Sequence, residues 1–222
     1  NFFELGGDSI ISIQVVSRAR QAGIRFTPKD LFQQQTVQGL ATVAEQGEGG
    51  LQIDQGPVHG RTALLPIQQW VFETDVPERH HWNQSVLLKP LKPLSTKALE
   101  QALQTLLEHH DGLRLNFVEE ATGWAATYGP VTQVISAPFA AKQAEAQLWL
   151  ADHISEDALP AICNAAQGSL NLQQGRLLRA VLCTLQDGSQ RLFLAIHHLV
   201  VDGVSWRILL EDLQSVLGQQ AL

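Results

Sequence analysis

The sequence is poor in the residues that mark redox, secreted and membrane proteins. It has no methionine and only two cysteines, Cys163 and Cys183, which lie too far apart for a CxxC redox motif or a zinc knuckle. A reduced, cytoplasmic compartment is therefore expected. No signal peptide and no apolar run of roughly 18 residues is present, so neither secretion nor a membrane span is predicted. Because even an initiator methionine is lacking, we expect a piece of a longer chain, cut at both ends.

Basic residues are also few, with 15 Lys and Arg against 22 Asp and Glu. Residues 1–45 hold four of each sign, so the acidic excess lies wholly in the rest of the chain. No stripe of Lys or Arg is available to neutralise phosphates, and nucleic acid is not an expected partner. No metal site is predicted.

Glycine and proline are most frequent in GEGGLQIDQGPVHG, residues 47–60. This composition predicts a flexible linker between one domain at residues 1–46 and another at residues 61–222. A flexible tether suits a domain that must travel between active sites, although an ordinary interdomain loop has the same composition.

The first domain is predicted to be a small all-α bundle. Ser9 ends the motif GGDS, and the segment that follows has Ile10, Ile13 and Val16 at helical spacing on one face. Gly23 is the expected end of this helix. From the pattern alone, Ser9 is either the N-cap of the helix or an exposed hydroxyl at its start.

Two further helices are expected in this domain. Thr27, Pro28 and Asp30 have the pattern of an N-cap, a first helical residue and a capping-box acid. Thr36 is the expected N-cap of a helix over residues 37–46.

The second domain alternates helical and strand patterns, which predicts an α/β two-layer lobe. Ser95 or Thr96 is the expected cap of a strong helix, and Asp187-Gly188 is an expected hairpin turn. Helices are predicted over residues 98–110 and 140–153 and from residue 203 onward. Strands are predicted over residues 82–88, 112–120, 124–128 and 131–135, in RAVLCTL, and in the run that ends at residue 198.

That last run, LFLAIHHLVVDGVSW, places two adjacent histidines at the end of an apolar strand. Since side chains alternate along a strand, His197 and His198 face opposite ways, and His198 shares its face with Leu194 and Ile196. One histidine can therefore face a cleft while the other is buried in, or bonded to, the scaffold. An imidazole at a cleft is a natural general acid or base, whereas a histidine on an apolar strand is otherwise a core residue.

HHLVVDGVSW resembles the HHxxxDG signature of the condensation-domain superfamily of nonribosomal peptide synthetases, and VSW is similar to its epimerization branch. TALLPIQQW, which begins at Thr62, also resembles the opening of epimerization domains. The resemblance implies two chloramphenicol-acetyltransferase-like lobes around a tunnel, of which this chain would hold the N-terminal one. It implies His198 as the catalytic acid or base, opposed by a glutamate from the second lobe. Supporting roles in the motif are implied for His197, Asp202 and Gly203.

Two other histidine pairs, His80-His81 and His109-His110, are equally conspicuous. The second pair opens the string HHDGLRLNF at residues 109–117, which is similar to a structural string of the superfamily. That resemblance implies structural roles for His109 and His110.

GGDSI resembles the attachment motif of peptidyl carrier proteins, in which the serine carries a phosphopantetheine arm. Ser9 is thereby implied as the covalent attachment point of 4′-phosphopantetheine. Residues 1–46 would form a truncated carrier domain whose first helix is missing. A GGDS motif, with aspartate before serine, is also similar to carriers that lie just upstream of epimerization domains.

Together the resemblances imply an epimerase that inverts L to D at the α-carbon of an aminoacyl or peptidyl thioester. The implied partners are an upstream adenylation domain, a downstream condensation domain and a phosphopantetheinyl transferase, with no nucleic acid and no membrane. Two alternatives stay open: a condensation domain that forms the amide bond, and a non-catalytic carrier or docking module. By itself, the 222-residue chain is expected to be inactive.

Overall fold

The computed structural model describes three stretches of the chain: residues 1–47, 56–121 and 123–220. The chain forms two units, Asn1–Asp54 and Gln55–Leu222, each with its own secondary structure. Of the predicted linker at 47–60, residues 48–55 lie outside the described residues.

Short helices and a small antiparallel ribbon form the first unit. They are α1 (Ser9–Gln21), β1 (Ile24–Arg25), α2 (Pro28–Gln34), α3 (Val37–Val43) and β2 (Glu45–Gln46). The predicted caps are confirmed, since the hydroxyl of Thr27 accepts from the N–H of Asp30 and that of Thr36 accepts from the N–H of Gly39. The predicted helix over 37–46 is too long, because its last two residues pair with β1 instead.

The start of α1 corrects the interpretation of Ser9 as its N-cap. Asp8 is the cap: its Oδ1 accepts from the N–H of Ile10 at 2.9 Å and from that of Ile11 at 2.7 Å. Ser9 is the first residue of the helix and is exposed. A carboxylate is favoured over a hydroxyl here because its charge also complements the positive end of the helix dipole.

The turn before α1 depends on glycine at two positions. Gly6 has a φ of +92°, in the left-handed region that side chains with a Cβ rarely adopt. A Cβ on Gly7 would lie 2.5 Å from the ring of Phe2, so that ring would have to move. The left-handed backbone thus favours glycine at position 6, and the nearby ring of Phe2 favours it at position 7.

The buried face of α1 is not the one predicted. Ile10 and Ile13 are 41% and 50% exposed, whereas Ser12 is 1% exposed. Ser12 can be buried because its hydroxyl donates to the carbonyl of Ser9 at 2.7 Å. A hydrophobic pattern assigns a serine to the outside and cannot register a hydrogen bond made within the helix itself.

Helices and strands alternate in the second unit, and the predicted α/β class is confirmed. The helices are α4 (Pro66–Glu73), α5 (Thr96–His109), α6 (Leu159–Gln167) and α7 (Gly203–Gln220). The strands are β3 (Gly60–Thr62), β4 (Asn83–Leu88), β5 (Leu115–Glu120), β6 (Gly123–Tyr128), β7 (Ser136–Pro138), β8 (Leu148–Ile154), β9 (Leu178–Leu185) and β10 (Gln190–His197). Short 3-10 helices cover Arg79–His81, Asp111–Arg114, Phe139–Ala141 and Glu156–Ala158.

Within the described residues, these strands form two sheets. The larger has the order β4-β10-β9-β8-β7, in which β10 runs antiparallel to both β4 and β9, whereas β9, β8 and β7 run parallel to one another. The smaller is antiparallel and has the order β3-β6-β5. The predicted hairpin joins β9 to β10, and Gly188 in its turn has a φ of +81°.

The two faces of β10 separate as the alternation predicts. Leu192, Leu194 and Ile196 join the core beneath α5 and α7, while Phe193 and Ala195 join a second core beneath α6. The two helices over this sheet bury the following residues against it: Leu99, Leu103, Leu106 and Leu107 of α5, and Trp206, Leu209 and Leu213 of α7. The strand that leads to the two histidines is therefore covered on both sides.

Two predicted elements between β6 and β9 are wrong. The strand predicted over 131–135 is absent from the described structure, and the helix predicted over 140–153 is replaced by a 3-10 turn and β8. Alanine, glutamine and glutamate favour a helix locally. Leu148 and Trp149 instead become buried between β7 and β9, so tertiary pairing overrides that preference.

A third core holds the loop that follows β10. Val71 and Phe72 of α4 pack with Phe117 of β5, and Leu199 from the loop joins the same cluster. The helix α4 thus connects the smaller sheet to the segment just after the two histidines. Among the described residues, the longest helices are too polar or too short to cross a lipid bilayer.

Candidate active site

His197, the last residue of β10, is fully buried and held by two hydrogen bonds. The N–H of Leu199 donates to its Nδ1 at 3.2 Å, and its Nε2 lies 2.8 Å from the carbonyl oxygen of Arg79. Nδ1 must therefore be unprotonated, and Nε2 carries the proton and donates it to the carbonyl. Burial lowers the pKa of His197 to about 4, so the ring is neutral at pH 7. His197 therefore holds the backbone at the end of β10, and neither of its ring nitrogens is available to exchange a proton with a substrate.

His198 is half-buried, and one of its two ring nitrogens is unprotonated. Its backbone N–H donates to the carbonyl of Trp82 at 2.9 Å. The centroids of the His198 and Trp82 rings lie 5.0 Å apart. Its Nδ1 lies 2.8 Å from the carbonyl oxygen of Val201. A carbonyl only accepts, so Nδ1 carries the proton and Nε2 is left with its lone pair. The ring is thereby set to accept a proton at Nε2.

Gln84, on β4 opposite Ile196, faces that lone pair. Its amide nitrogen lies 3.3 Å from His198 Nε2, and its oxygen accepts from the indole N–H of Trp206 at 3.0 Å. The bond to Trp206 occupies the amide oxygen, so the NH₂ group must be the end that faces His198.

Sequence reasoning missed Gln84, although a signal for it exists. Val86 and Leu88, at alternate positions of the same strand, pack against the core beneath α5 and α7. A glutamine in register with two core-facing residues is at least half-buried, and its polar groups need a partner. The sequence does not show which partner that is.

Asp202 fastens the end of the loop between β10 and α7 to the first turn of that helix. Asp202 Oδ1 accepts from the N–H of Val204 at 3.0 Å, and from the N–H and the hydroxyl of Ser205, both at 2.7 Å. These bonds, led by the one from the Ser205 N–H, lower the pKa of Asp202 below its ordinary value. The carboxylate therefore caps α7 in its ionised form.

Gly203, the other motif residue, is exposed, and a Cβ there would meet no atom of the described structure within 4 Å. The packing of this chain does not require glycine at that position.

Gln68, from the PIQQW segment, holds the middle of the loop. Its amide donates to the carbonyl of Leu199 at 3.0 Å, and its oxygen accepts from the N–H of Leu65 at 3.0 Å. Gln68 is 3% exposed, so both ends of its amide are used inside the protein. The two segments of the sequence that resemble epimerization domains are thus bonded to each other.

A cavity of about 440 Å³ lies beside His198. Its wall is formed by the start of α4, the loop after β10 and the first turn of α7, and includes the polar groups of Gln68, Tyr128 and Ser205. A largely apolar recess with a few polar groups and one oriented imidazole is typical of a substrate site.

The other histidine pairs have separate surroundings. His80 Nδ1 accepts from the N–H of Leu172 at 3.1 Å, and His110 Nε2 lies 2.9 Å from Asp212 Oδ2. Neither residue is in the wall of the cavity beside His198.

Residues 58–221 of the chain match the protein family described as the condensation domain, and residues 1–44 match the phosphopantetheine attachment site. The cofactor of the first unit is therefore 4′-phosphopantetheine. Ser9 suits such an arm, because it is exposed in the first turn of a 13-residue helix, where the helix dipole favours a phosphate group.

Two curated relatives match the chain almost from end to end. Surfactin synthase subunit 1 of Bacillus subtilis (strain 168) is 47% identical over 219 residues, and Chondramide synthase cmdD of Chondromyces crocatus is 43% identical over 221 residues. Each match covers 99% of this chain but only 6% of the relative. The chain thus spans a small part of proteins of this kind.

Solved structures resemble the second unit. The epimerization domain from the third module of tyrocidine synthetase B has a TM-score of 0.68 and 34% identity, and the match covers 76% of this chain and 37% of that one. The starter condensation domain of rhizomide synthetase RzmA has a TM-score of 0.59 and 18% identity over 72% of this chain and 38% of that one, and shares the fold alone. The chain therefore belongs to the condensation-domain family of nonribosomal peptide synthetases. Within the chain, a phosphopantetheine attachment domain precedes the condensation domain.

Proposed function

We propose that the second unit contributes one side of an epimerase that inverts the α-carbon of an aminoacyl or peptidyl thioester from L to D. The observation that carries this proposal is the state of His198, whose Nδ1 is bonded to a carbonyl oxygen and whose Nε2 keeps its lone pair. A base in this state, in the wall of a cavity, suits abstraction of a proton from carbon. The 34% identity to an epimerization domain supports this assignment.

In this proposal the first unit presents the substrate through Ser9. When bound there, the phosphopantetheine arm supplies a thiol that holds the acyl group as a thioester, whose carbonyl acidifies the α-proton. Asp8 and the two glycines before it determine the start of α1, and the side chain of Ser9 stays exposed at that point. Attachment at Ser9 therefore does not require the helix to open.

The proton is taken by His198 Nε2. On protonation the ring becomes an imidazolium, and its Nδ1–H bond to the Val201 carbonyl becomes charge-assisted and stronger. Gln84 holds the ring by its NH₂ group in the neutral state and must turn or move once Nε2 gains a proton. The same nitrogen can return the proton, and inversion requires a second acid or base on the opposite side of the α-carbon. The resemblance to epimerization domains assigns that group to the other lobe.

The remaining motif residues position the base in this proposal. His197 holds the backbone just before His198 by hydrogen bonds to Arg79 and Leu199. Asp202 caps α7, which begins five residues after His198. Gly203 is exposed beside Asp202 at the start of α7. None of the three needs to touch the substrate.

The partners in this proposal follow from the thioester. An upstream adenylation domain would activate the amino acid, a phosphopantetheinyl transferase would modify Ser9, and a downstream condensation domain would consume the D-configured product. The second candidate function is amide-bond formation, and it is favoured by the match of residues 58–221 to the condensation domain family.

The test uses the intact parent synthetase. The holo carrier is loaded with an L-aminoacyl or peptidyl thioester in deuterated water, the product is released, and its α-deuterium content and chirality are measured. Deuterium uptake together with a mixture of L and D products supports the epimerase. Absence of uptake, with amide-bond formation when an acceptor is supplied, supports the second candidate.

A further inference from the structure

A group of metal-ligand side chains lies where α5 meets α7. His109 is the last residue of α5, His110 is its C-cap, and Asp212 lies in the middle of α7. One ligand atom from each residue lies within 4.8 Å of the other two. None of the three belongs to the described wall of the cavity beside His198.

One pair in this group is already joined. His110 Nε2 lies 2.9 Å from Asp212 Oδ2, and both side chains are half-buried. The ring of His109 stands edge-on to that of His110, with centroids 4.8 Å apart, and is exposed. The group is therefore open to solvent on the side of His109 and fixed on the side of His110.

The donor set is that of a zinc site. Two imidazole nitrogens and one carboxylate oxygen suit Zn²⁺, which also accepts water in a fourth position. Binding at His110 Nε2 replaces the proton that this nitrogen donates to Asp212 Oδ2, and that proton is released to solvent. With bond lengths of about 2.1 Å, ligands on a tetrahedral ion lie about 3.4 Å apart. The widest separation here would have to shorten by about 1.4 Å. Rotation of the exposed His109 side chain can supply that movement.

We propose that His109, His110 and Asp212 bind one Zn²⁺ ion that joins the end of α5 to α7. The consequence lies in the core, because α5 and α7 together cover the face of β10 that holds Ile196. An ion bound only by the folded state raises its stability by mass action. Zinc would then stabilise the helix pair that packs over the strand leading to His198.

The test is a calorimetric titration of the full 222-residue chain, without a histidine tag, with ZnCl₂. Thermal unfolding of the same protein is followed by tryptophan fluorescence, with ZnCl₂ or with EDTA. We expect one bound ion per chain and a higher unfolding temperature with ZnCl₂. His109→Ala and Asp212→Asn should each weaken Zn²⁺ binding by at least about tenfold. Loss of a residue that only supports a metal ligand already costs about 10- to 100-fold in affinity, and these two residues are proposed as ligands themselves.

The control is His59→Ala, which removes an exposed histidine outside the group and should bind as the unaltered chain does. Asp212→Asn keeps a group that can bond His110, and His109 is exposed, so both variants are expected to fold; circular dichroism checks this. The proposal is overturned if the unaltered chain binds no Zn²⁺. It is equally overturned if either variant, folded, binds as tightly as the control.

Discussion

The indole N–H of Trp206 donates to the side-chain oxygen of Gln84 at 3.0 Å, and this bond decides which end of the amide faces His198. With the oxygen occupied, the NH₂ group is directed at His198 Nε2, 3.3 Å away. That contact favours a ring nitrogen with a lone pair, the form that accepts a proton. Trp206 and Gln84, which the sequence analysis did not assign to the site, thus set the state of the proposed base.

Replacing Gln84 with leucine in the parent synthetase should slow α-proton exchange by about 10- to 100-fold, the effect of a misplaced catalytic group. His198 loses its orienting contact, and the indole N–H of Trp206 loses its acceptor, which costs about 1–3 kcal/mol of stability. The measurement is the rate of α-deuterium uptake from deuterated water.

A matched variant, Trp206→Phe, keeps the aromatic packing and removes only the donor. The amide of Gln84 is then free to rotate, and we expect a smaller loss of rate than for Gln84→Leu. Since both act through one contact with His198, the double variant should be no slower than Gln84→Leu. Fully additive losses would show that the two residues do not act through each other.

His198→Ala should reduce α-proton exchange by about 10²- to 10⁴-fold, the usual contribution of a general acid or base. The side chain is half-buried at the end of β10 and is not part of the sheet core, so the fold should survive. Loading of the carrier with its thioester should be unaffected and serves as the control. Exchange retained at the original rate would contradict the proposed role.

The stability of the second unit should depend on pH through His197. Burial is the main cause that lowers the pKa of this ring to about 4, from its ordinary 6.5. Between these values the unfolded chain binds a proton that the folded chain does not. The free energy of unfolding should therefore fall as the pH drops from about 6.5 to about 4, by up to about 3 kcal/mol, and level off below.

Urea unfolding at pH values from 4 to 7.5 measures this slope. Every one of the five tryptophans belongs to the second unit, so their fluorescence reports its unfolding alone. His197→Gln should remove this part of the slope. If the variant does not fold, the titration of the His197 ring by NMR in the unaltered protein decides: a midpoint near 6.5 would contradict the prediction.

The elements that the sequence predicted correctly are those whose pattern and neighbours agree. The helix α5 has a serine cap, Ser95, and a continuous leucine face, and both appear in the structure. Alternation along β10 separates the environments of Leu194 and Phe193 because the strand is buried on both sides. In such segments local preference and tertiary packing favour the same structure.

The errors occur where the structure depends on a contact that the hydrophobic pattern does not contain. The segment around Trp149 has a helical composition, but its place between two strands makes it β8. Ser12 turns inward because its hydroxyl finds a carbonyl one turn back. Gln84 and Gln68 matter through bonds to residues more than 100 positions away, which no local pattern contains. His197 and His198 could be singled out from the sequence because their motif is contiguous.

Ser9→Ala should abolish modification by a phosphopantetheinyl transferase supplied with coenzyme A, detected as loss of the expected mass increase. The helix should be unaffected, because Asp8 and not Ser9 caps it. The matched variant Asp8→Ala should instead lower the stability of α1 by about 1 kcal/mol, the usual value of an N-cap, while Ser9 remains present for modification. A mass increase that persists in Ser9→Ala would place the attachment at another residue.

Asp202 allows a structural role to be separated from a chemical one. Its carboxylate accepts two N–H groups and a hydroxyl at the start of α7, so Asp202→Ala should lower the stability of the second unit by about 1 kcal/mol and slow exchange. Asp202→Ser retains an acceptor at the same place and should recover most of both losses. If the serine variant unfolds like the unaltered chain but exchanges as slowly as the alanine variant, the charge itself takes part in the reaction, and Asp202 is more than a helix cap.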